Sequence, residues 1–368
     1  MSSCEFDNLT IEEKIGQLFF IGIPGPELDA ETRGLIERIR PGGVCLFARN
    51  IREAGQTRKL LDDIHRISNV RPFLSLDQEG GLVDRLRRVV TPMPAADLIR
   101  SIEQAERFGS LIAEIIRILG FNMDFAPVID VVDQRRSSFS NGLHSRAFGS
   151  TADEATELAG AFLTGITNGG VLGCLKHFPG LGASDVDSHE EMPAVGVEFD
   201  ELRSTDLIPY RRLLSDHKDV AVMVAHAAYP KLDLQETDQN GTLLPSSLSF
   251  NFVSKLLRHD LGFNGVAITD DLEMGAVVKN FGIGESCKRA ILGGEDMLAI
   301  CASPDAVIEA FAAVHSSLLE GVITESRVDE SLGRIAALKD RISEPLPFER
   351  NRLDELSRQV GDFIASLK

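Results

Sequence analysis

No stretch of this chain approaches the roughly 18 or more consecutive apolar residues that a membrane helix needs. The N-terminal residues MSSCEFDNLTIEEK carry acids where a secretion signal requires a basic start and an apolar run. The expected compartment is therefore the cytoplasm. Positive charge is scarce: 38 Lys and Arg face 56 Asp and Glu, a net charge of -18. This argues against nucleic acid as a partner, because phosphate binding needs clustered Lys and Arg, and an anionic membrane surface is disfavoured for the same reason. Cysteine is thin and scattered. Cys4, Cys45, Cys174, Cys287 and Cys301 make an odd number with no C-x-x-C spacing, so neither a zinc site nor a disulfide framework is expected. The dinucleotide fingerprint G-x-G-x-x-G is missing after the first apolar run, where Gly22-Ile23-Pro24-Gly25 stands instead. Nucleophile elbow, P-loop, H-E-x-x-H and Schiff-base lysine signals are likewise missing.

What is present is ordinary in bulk and ordered in detail. Hydrophobic residues at 43% with 26% charged suit a soluble globular protein. A length of 368 residues admits two average domains or one large α/β barrel. Short apolar runs occupy residues 17–23, 43–47, 72–76, 122–131, 171–175, 220–225, 265–269 and 297–300. Amphipathic, helix-like stretches lie between them, for example at 29–39, 54–67, 102–119, 152–166, 199–214 and 248–261. Strand-helix alternation implies a parallel sheet with covering helices. Eight strands fit a closed (β/α)8 barrel of the TIM type, with an open doubly wound sheet as the alternative. No repeat, low-complexity tract or linker divides the chain. One catalytic domain over residues 1–368 is expected, with helices from about residue 304 (306–320, 326–342 and 352–367) packing on the barrel.

The placement of polar residues favours the barrel. The third run leads into Asp77-Gln78-Glu79-Gly80-Gly81, the fourth contains Asp124 and Asp130, and the fifth leads into Lys176-His177. The sixth reaches His226 and the seventh ends Thr269-Asp270-Asp271. In a parallel barrel all the C-terminal strand ends share one face, so these groups converge on one pocket. Plainer readings stand beside this one. Asp124 and Asp130 also suit a helix cap or a buried hydrogen-bonded acid, and His226 in AVMVAHAAYP also suits a satisfied core histidine.

The segment KHFPGLGASDVDSHEEMP, residues 176–193, concentrates ionisable side chains where a strand gives way to a loop. Within Asp187-Ser188-His189, residues i and i+2 of an extended segment point the same way. The Asp187 carboxylate can thus reach the His189 imidazole and fix its tautomer, as a proton-transferring histidine requires. A neutral polyhydroxylated substrate suits this set. Sugar hydroxyls call for charged donors and acceptors, here Asp77, Arg85, Arg146, Lys176 and His177. Glycoside chemistry needs one carboxylate below the ring and a proton donor at the leaving oxygen. Asp270 is the candidate for the first and His189 for the second. No metal or cofactor is called for.

At these residues the chain closely resembles glycoside hydrolase family 3, in particular its single-domain bacterial N-acetyl-β-glucosaminidase branch. The blocks EEKIGQLFFIG, GGVCLF, SLDQEGGLVDRL, MDFAPVIDV, SRAFGS, LKHFPGLG, DSHEEMP, VMVAHAAYP, PSSLS and GFNGVAITDDLEMGAV carry the resemblance in order. It implies a (β/α)8 barrel and a retaining, exo-acting hydrolase that releases N-acetylglucosamine from β-linked sugars, typically muropeptide fragments. It also implies Asp270 as nucleophile, His189 as acid/base, Asp187 as its orienting partner, and Asp77, Arg85, Arg146, Lys176 and His177 as sugar-holding residues. Leu82 stands where the family usually has Arg in DQEGGRV. Leu181, Ala183 and Ser184 depart from FPGHGDT, and Ser145 replaces the usual Asn. The loop around Leu181 is more apolar as a result, which bears on the aglycone.

Two rival readings follow. A neutral His as acid/base admits a phosphate dianion that a carboxylate would repel, so the same site suits an N-acetylglucosaminide phosphorylase releasing a sugar 1-phosphate. An inactive sugar-binding barrel is the alternative of another class. The partner expected is a small carbohydrate or muropeptide, with the protein a monomer. The segment 180–188 is expected to be mobile. Asp270 and Asp271 should lie on opposite sides of their strand by alternation, with Asp271 capping the following turn or bonded to backbone N–H groups.

Overall fold

Each of the eight apolar runs supplies a strand, and the helical stretches between them supply the cover. In the computed structural model, residues 6, 8–138, 142–184 and 192–367 are described. The strands are β1 (Phe19–Gly22), β2 (Gly43–Cys45), β3 (Phe73–Leu76), β4 (Met123–Asp124), β5 (Cys174–Phe178), β6 (Ala221–Val224), β7 (Ala267–Thr269) and β8 (Leu298–Ile300). They form a five-stranded sheet ordered β8-β1-β2-β3-β4 and a three-stranded sheet ordered β5-β6-β7. All these pairings are parallel.

This is a TIM-barrel-like α/β arrangement, but the continuous closed ladder expected from the sequence does not form at two seams. There the sheets meet only through isolated parallel bridges, Met123–Leu172 and Val128–Lys176 at the first seam and Ile268–Met297 at the second. The first seam is weak because Pro127 has no N–H to donate to a ladder. The run at 122–131 therefore pairs regularly over only two residues before it continues as irregular backbone beside β5. At the second seam side chains take ladder positions. The Thr269 hydroxyl accepts from the Ala299 N–H at 3.0 Å, and Asp296 Oδ2 accepts from the Ala267 N–H at 3.0 Å.

Helices start where the sequence offers a cap. Asp29, Ser101, Thr151, Ser303 and Thr324 each accept from the backbone N–H three residues on, satisfying a donor that the first turn leaves open. The resulting helices include Ala30–Ile39, Ile102–Leu119 and Ala152–Asn168. Two expected helices are wound differently: 199–214 contains a π-wound stretch at Leu202–Asp206, and 248–261 becomes the π-wound Asn251–Asp260. The three C-terminal helices form at Pro304–Leu319, Glu325–Lys339 and Arg350–Ser366. They pack respectively on Ile283–Gly293, Ile11–Gly16 and Ile102–Leu119. No helix among the described residues is long and apolar enough to cross a membrane.

The strand interior is closed by aromatic rings. Phe20 stacks on Phe73 at 6.2 Å and tilts against Phe125 at 5.0 Å. Gly43 makes room for this, since a Cβ there would lie 2.6 Å from the Phe20 ring. Large beside small is how a protein interior reaches close packing. Phe125 is also the ring on which the cavity at the C-terminal strand ends rests.

Candidate active site

A cavity of about 940 Å³, its open mouth included, is bordered by residues at or just beyond the C-terminal ends of β2 to β8. Asp77, Arg85, Arg146, Lys176, His177 and Asp270 all line it, so the structure brings together six of the eight residues singled out from the sequence. The remaining two, Asp187 and His189, lie outside the described residues.

Asp77 and Glu79 reach the cavity from one short extended stretch. Residues i and i+2 face the same way, and the intervening Gln78 turns into the protein. A small hairpin of Gln78–Gly80 against Val83–Asp84, which the apolar pattern does not announce, holds this stretch. Gln78 Nε2 donates to Asp84 Oδ1 at 2.8 Å, and Gln78 Oε1 accepts from the Arg85 N–H at 3.0 Å. Asp84 Oδ2 accepts from the Met93 N–H at 2.9 Å.

The charges form one chain. Lys176 Nζ lies 2.8 Å from Asp77 Oδ1 and 2.6 Å from Glu79 Oε1. Arg146 grips Glu79 with both Nε and Nη2, at 2.7 and 2.9 Å. Arg85 Nη2 reaches Asp77 Oδ2 at 3.2 Å. Burial alone would push both carboxyls up. For Asp77, Lys176 and Arg85 reverse this and hold it well below the usual carboxylate range. For Glu79, Lys176 and Arg146 do so and bring it to about 2. Lys176 is raised, its burial being outweighed by the same two anions. Glu79 is not among the sequence candidates for a site role. The signal exists, because Asp77-x-Glu79 has the same spacing that draws attention to Asp187-x-His189.

Strand β5 corrects one expectation and explains another. The apolar run reads as ending at Leu175, but the strand continues to Phe178, so Lys176 and His177 belong to it. Consecutive strand residues normally face opposite ways. Here the register with β6 slips, Lys176 opposing Met223 while Phe178 opposes Val224, which makes His177 the extra residue of a bulge. Lys176 and His177 thereby both border the cavity. The His177 ring is held from behind: Nδ1 lies 2.8 Å from Asp130 Oδ2, which also accepts from the His177 N–H at 3.2 Å.

Asp270 follows the last residue of β7. Its Oδ1 accepts from the Asp271 N–H at 2.8 Å, and Oδ2 has no hydrogen bond among the described residues. Burial raises its carboxyl, but the His177 and His226 imidazoles, the Asp271 N–H and Lys176 together bring it below the ordinary value. Asp271 does not lie on the opposite side, as alternation suggests. Both acids border the cavity, because β7 stops at Thr269 and the two belong to the turn that follows. Asp271 does bond to backbone as expected, Oδ1 accepting from the Glu273 and Cys301 N–H groups at 3.1 and 3.2 Å. Burial pushes its carboxyl up to about 7.

His226 takes the plainer role. It is fully buried, with Nδ1 2.7 Å from Ser247 Oγ and Nε2 3.0 Å from the Asp271 carbonyl, so it braces the turn that carries Asp270. Asp124 is also buried behind the site. Its Oδ1 accepts from the Gln78 N–H at 2.9 Å, Oδ2 has no partner among the described residues, and burial pushes its carboxyl up to about 8.

The segment at 180–184 is not the loose start of a mobile loop. Leu181 and Ser184 are buried and border the cavity. The Gly180 carbonyl accepts from the Tyr229 hydroxyl at 2.9 Å, and Gly182 lies so close to the Val131 carbonyl that a Cβ would sit 1.9 Å from its oxygen. Beneath Gly180 lies a buried pair, with Arg136 Nη1 2.7 Å from Asp206 Oδ1 and Nη2 3.0 Å from Oδ2. Residues 185–191 lie outside the described residues.

Comparison with known proteins agrees with this architecture. A β-hexosaminidase of Pseudomonas aeruginosa is 37% identical over 291 residues, covering 76% of this chain and 81% of the relative. A β-hexosaminidase of Tolumonas auensis is 31% identical over 319 residues, covering 84% and 91% respectively. Among solved structures, a glycoside hydrolase family 3 β-N-acetylglucosaminidase from Paenibacillus sp. str. FPU-7 superposes with a TM-score of 0.84 at 32% identity, covering 96% of this chain and 69% of that one. The profile of the glycosyl hydrolase family 3 N-terminal domain matches residues 10–338. An acid-lined cavity on a TIM-barrel-like frame and a profile match over most of its length identify this chain as a glycoside hydrolase that belongs to glycosyl hydrolase family 3.

Proposed function

We propose that this protein is a retaining, exo-acting β-N-acetylglucosaminidase that removes terminal N-acetylglucosamine from β-linked glycosides, with cell-wall muropeptide fragments as the natural substrate class. Relatives named as β-hexosaminidases above 30% identity, and a neighbouring structure described as a β-N-acetylglucosaminidase, support the sugar. The observation that carries the chemistry is Asp270. It is a carboxylate kept ionised, with one oxygen fixed by a backbone N–H and the other directed to no protein partner among the described residues, beside five charged or imidazole side chains suited to sugar hydroxyls.

In the proposed reaction Asp270 attacks the anomeric carbon while His189 protonates the leaving oxygen, and the glycosidic bond breaks. A glycosyl ester on Asp270 results. Water, giving its proton to His189, then attacks the same carbon and releases the sugar with its β configuration retained. Asp187 keeps the His189 ring in the required tautomer. Asp77, Arg85, Arg146, Lys176 and His177 fix the ring above Asp270. We place the work in a single catalytic unit, acting as a cytoplasmic monomer.

A slow fluorinated N-acetylglucosaminide tests the reading. It should add one sugar mass to the protein, peptide mapping should put that mass on Asp270, and Asp270→Ala should abolish it. Labelling elsewhere, or inversion at the anomeric carbon, would refute the mechanism. Product analysis with and without phosphate separates hydrolysis from phosphorolysis, since a phosphate-dependent sugar 1-phosphate would replace the hydrolase reading.

A further inference from the structure

Asp130 does not line the cavity, yet its carboxylate is the one behind both His177 and the segment at 180–184. It is 1% exposed and faces three N–H groups. Oδ2 receives the His177 backbone N–H at 3.2 Å and lies 2.8 Å from His177 Nδ1, while Oδ1 receives the Leu181 N–H at 2.6 Å. A buried carboxylate is an acceptor on both oxygens, and all the groups that face these oxygens are donors once Nδ1 carries its proton. The two halves of the carboxylate thus serve different segments. One fixes a ring that borders the cavity, and the other fixes the backbone where the chain leaves β5 toward residues 185–191.

We propose that Asp130 is a positioning residue for catalysis, whose single carboxylate sets the His177 imidazole with Nδ1 protonated and Nε2 offered to the sugar while it ties the loop root at Leu181 in register with that ring. The proposal rests on the glycosidase reading for its meaning, though not for its geometry. Its physical content is that ring and loop root are coupled. Displacing the carboxylate disturbs both, because Nδ1 and the Leu181 N–H meet the two oxygens of one rigid group. The fit of the loop root leaves little slack, with Gly182 pressed against the carbonyl of Val131, the residue next to Asp130.

Asn is the informative replacement. It matches Asp in shape but has one acceptor oxygen, with two donor hydrogens in place of the second. The side-chain amide in Asp130→Asn can accept from Leu181 or from His177, not from both. If its oxygen serves Leu181, its NH₂ group forces His177 Nδ1 to become the acceptor, and the proton moves to Nε2 on the cavity side. If its oxygen serves His177, the Leu181 N–H faces a donor where it had an acceptor.

The experiment uses the full-length protein with ¹⁵N-labelled histidine, amide hydrogen exchange, and turnover of an aryl N-acetyl-β-glucosaminide. In the wild type, His177 should show a protonated Nδ1, and the Leu181 amide should be protected. Asp130→Asn should either switch the His177 tautomer or release protection across 179–184. It should also lower kcat/KM roughly 10- to 100-fold, the range typical when the hydrogen-bond partner that orients a metal-bound histidine is lost. Asp130→Asn showing the wild-type tautomer and wild-type protection overturns the proposal, whatever its activity. If that variant does not fold, the wild type still decides: an unprotonated Nδ1 or an unprotected Leu181 amide overturns it. Wild-type protein that turns over no N-acetylglucosaminide would refute the glycosidase reading instead, and leaves the tautomer and exchange results to judge Asp130 separately.

Discussion

Replacing Glu79 by Gln should cost the protein about 3 kcal/mol at neutral pH, and most of that loss should disappear in acid. Glu79 is 4% exposed and receives Lys176 at 2.6 Å and Arg146 at 2.7 and 2.9 Å. Deleting one partner of a buried ion pair costs roughly 3–5 kcal/mol, because the remaining charge stays buried without compensation. Linkage leads to the same size. A carboxyl held at about 2 rather than its usual value of 4.5 contributes roughly 3 kcal/mol at neutral pH. The sign follows from the direction of the shift. A depressed carboxyl stabilises fully above about pH 4.5 and loses that contribution as pH falls toward 2, with less than half remaining near pH 3. With an unfolding entropy of roughly 2.1 cal/mol/K per residue, 3 kcal/mol corresponds to a drop of about 4 °C in Tm. Thermal unfolding of wild type and Glu79→Gln, followed by circular dichroism from pH 7 to pH 3, measures it. An unchanged Tm at pH 7 would refute the reasoning, as would a gap that stays constant down to pH 3.

Three further outcomes are expected. Asp271→Asn should keep activity within about tenfold, because its carboxyl is half-neutral near pH 7 and bonded to backbone, whereas Asp270→Asn should lose on the order of 1,000-fold or more; steady-state kinetics of the pair decides, and equal losses would contradict the division of roles. The acidic limb of kcat/KM should lie below the ordinary Asp value, since the positive surroundings of Asp270 preserve its ionised form as pH falls; a limb centred above about pH 5 that persists in Asp187 and His189 variants would count against it. Leu82, 70% exposed at the hairpin tip beside the cavity-lining Val83, should tolerate Arg with less than about 0.5 kcal/mol change in stability. The same change should lower the preference for apolar over small aglycones, and an unaltered ratio of kcat/KM for aryl and methyl glycosides would remove Leu82 from the aglycone site.

Much of this architecture is legible in the residue pattern. All eight strands fall where apolar runs are bounded by turn residues, and caps such as Asp29 and Ser101 mark helix starts to within a residue. Asp77, Lys176 and Asp270 are found because a parallel frame collects its strand ends. What escapes is whatever depends on departures from regular pairing. The bulge at His177 turns two consecutive residues to one side, and no periodicity announces a slipped register. The hairpin at 78–84 is too short to alternate, and Gly80-Gly81 reads as plain loop. The truncation of β4 is signalled by Pro127, whose missing N–H outweighs the apolar run around it. Asp130 illustrates a different limit. Its type suits several roles, and only the positions of three donors from a distant segment select one.

The fully ionised residues around the cavity balance one another, Asp77, Glu79 and Asp270 against Arg85, Arg146 and Lys176, and Asp271, its carboxyl raised by burial, adds only a fraction of a charge. The chain as a whole carries -18. A neutral sugar therefore enters a locally balanced site and gains nothing from long-range attraction, so its capture should be indifferent to ionic strength. A glycoside with an anionic aglycone meets the acidic exterior first. Added salt shortens the reach of that field to about 8 Å at physiological strength, so salt should speed the encounter with anionic glycosides alone. The same protein then discriminates among glycosides twice, once through its pocket and once through the medium in which it works.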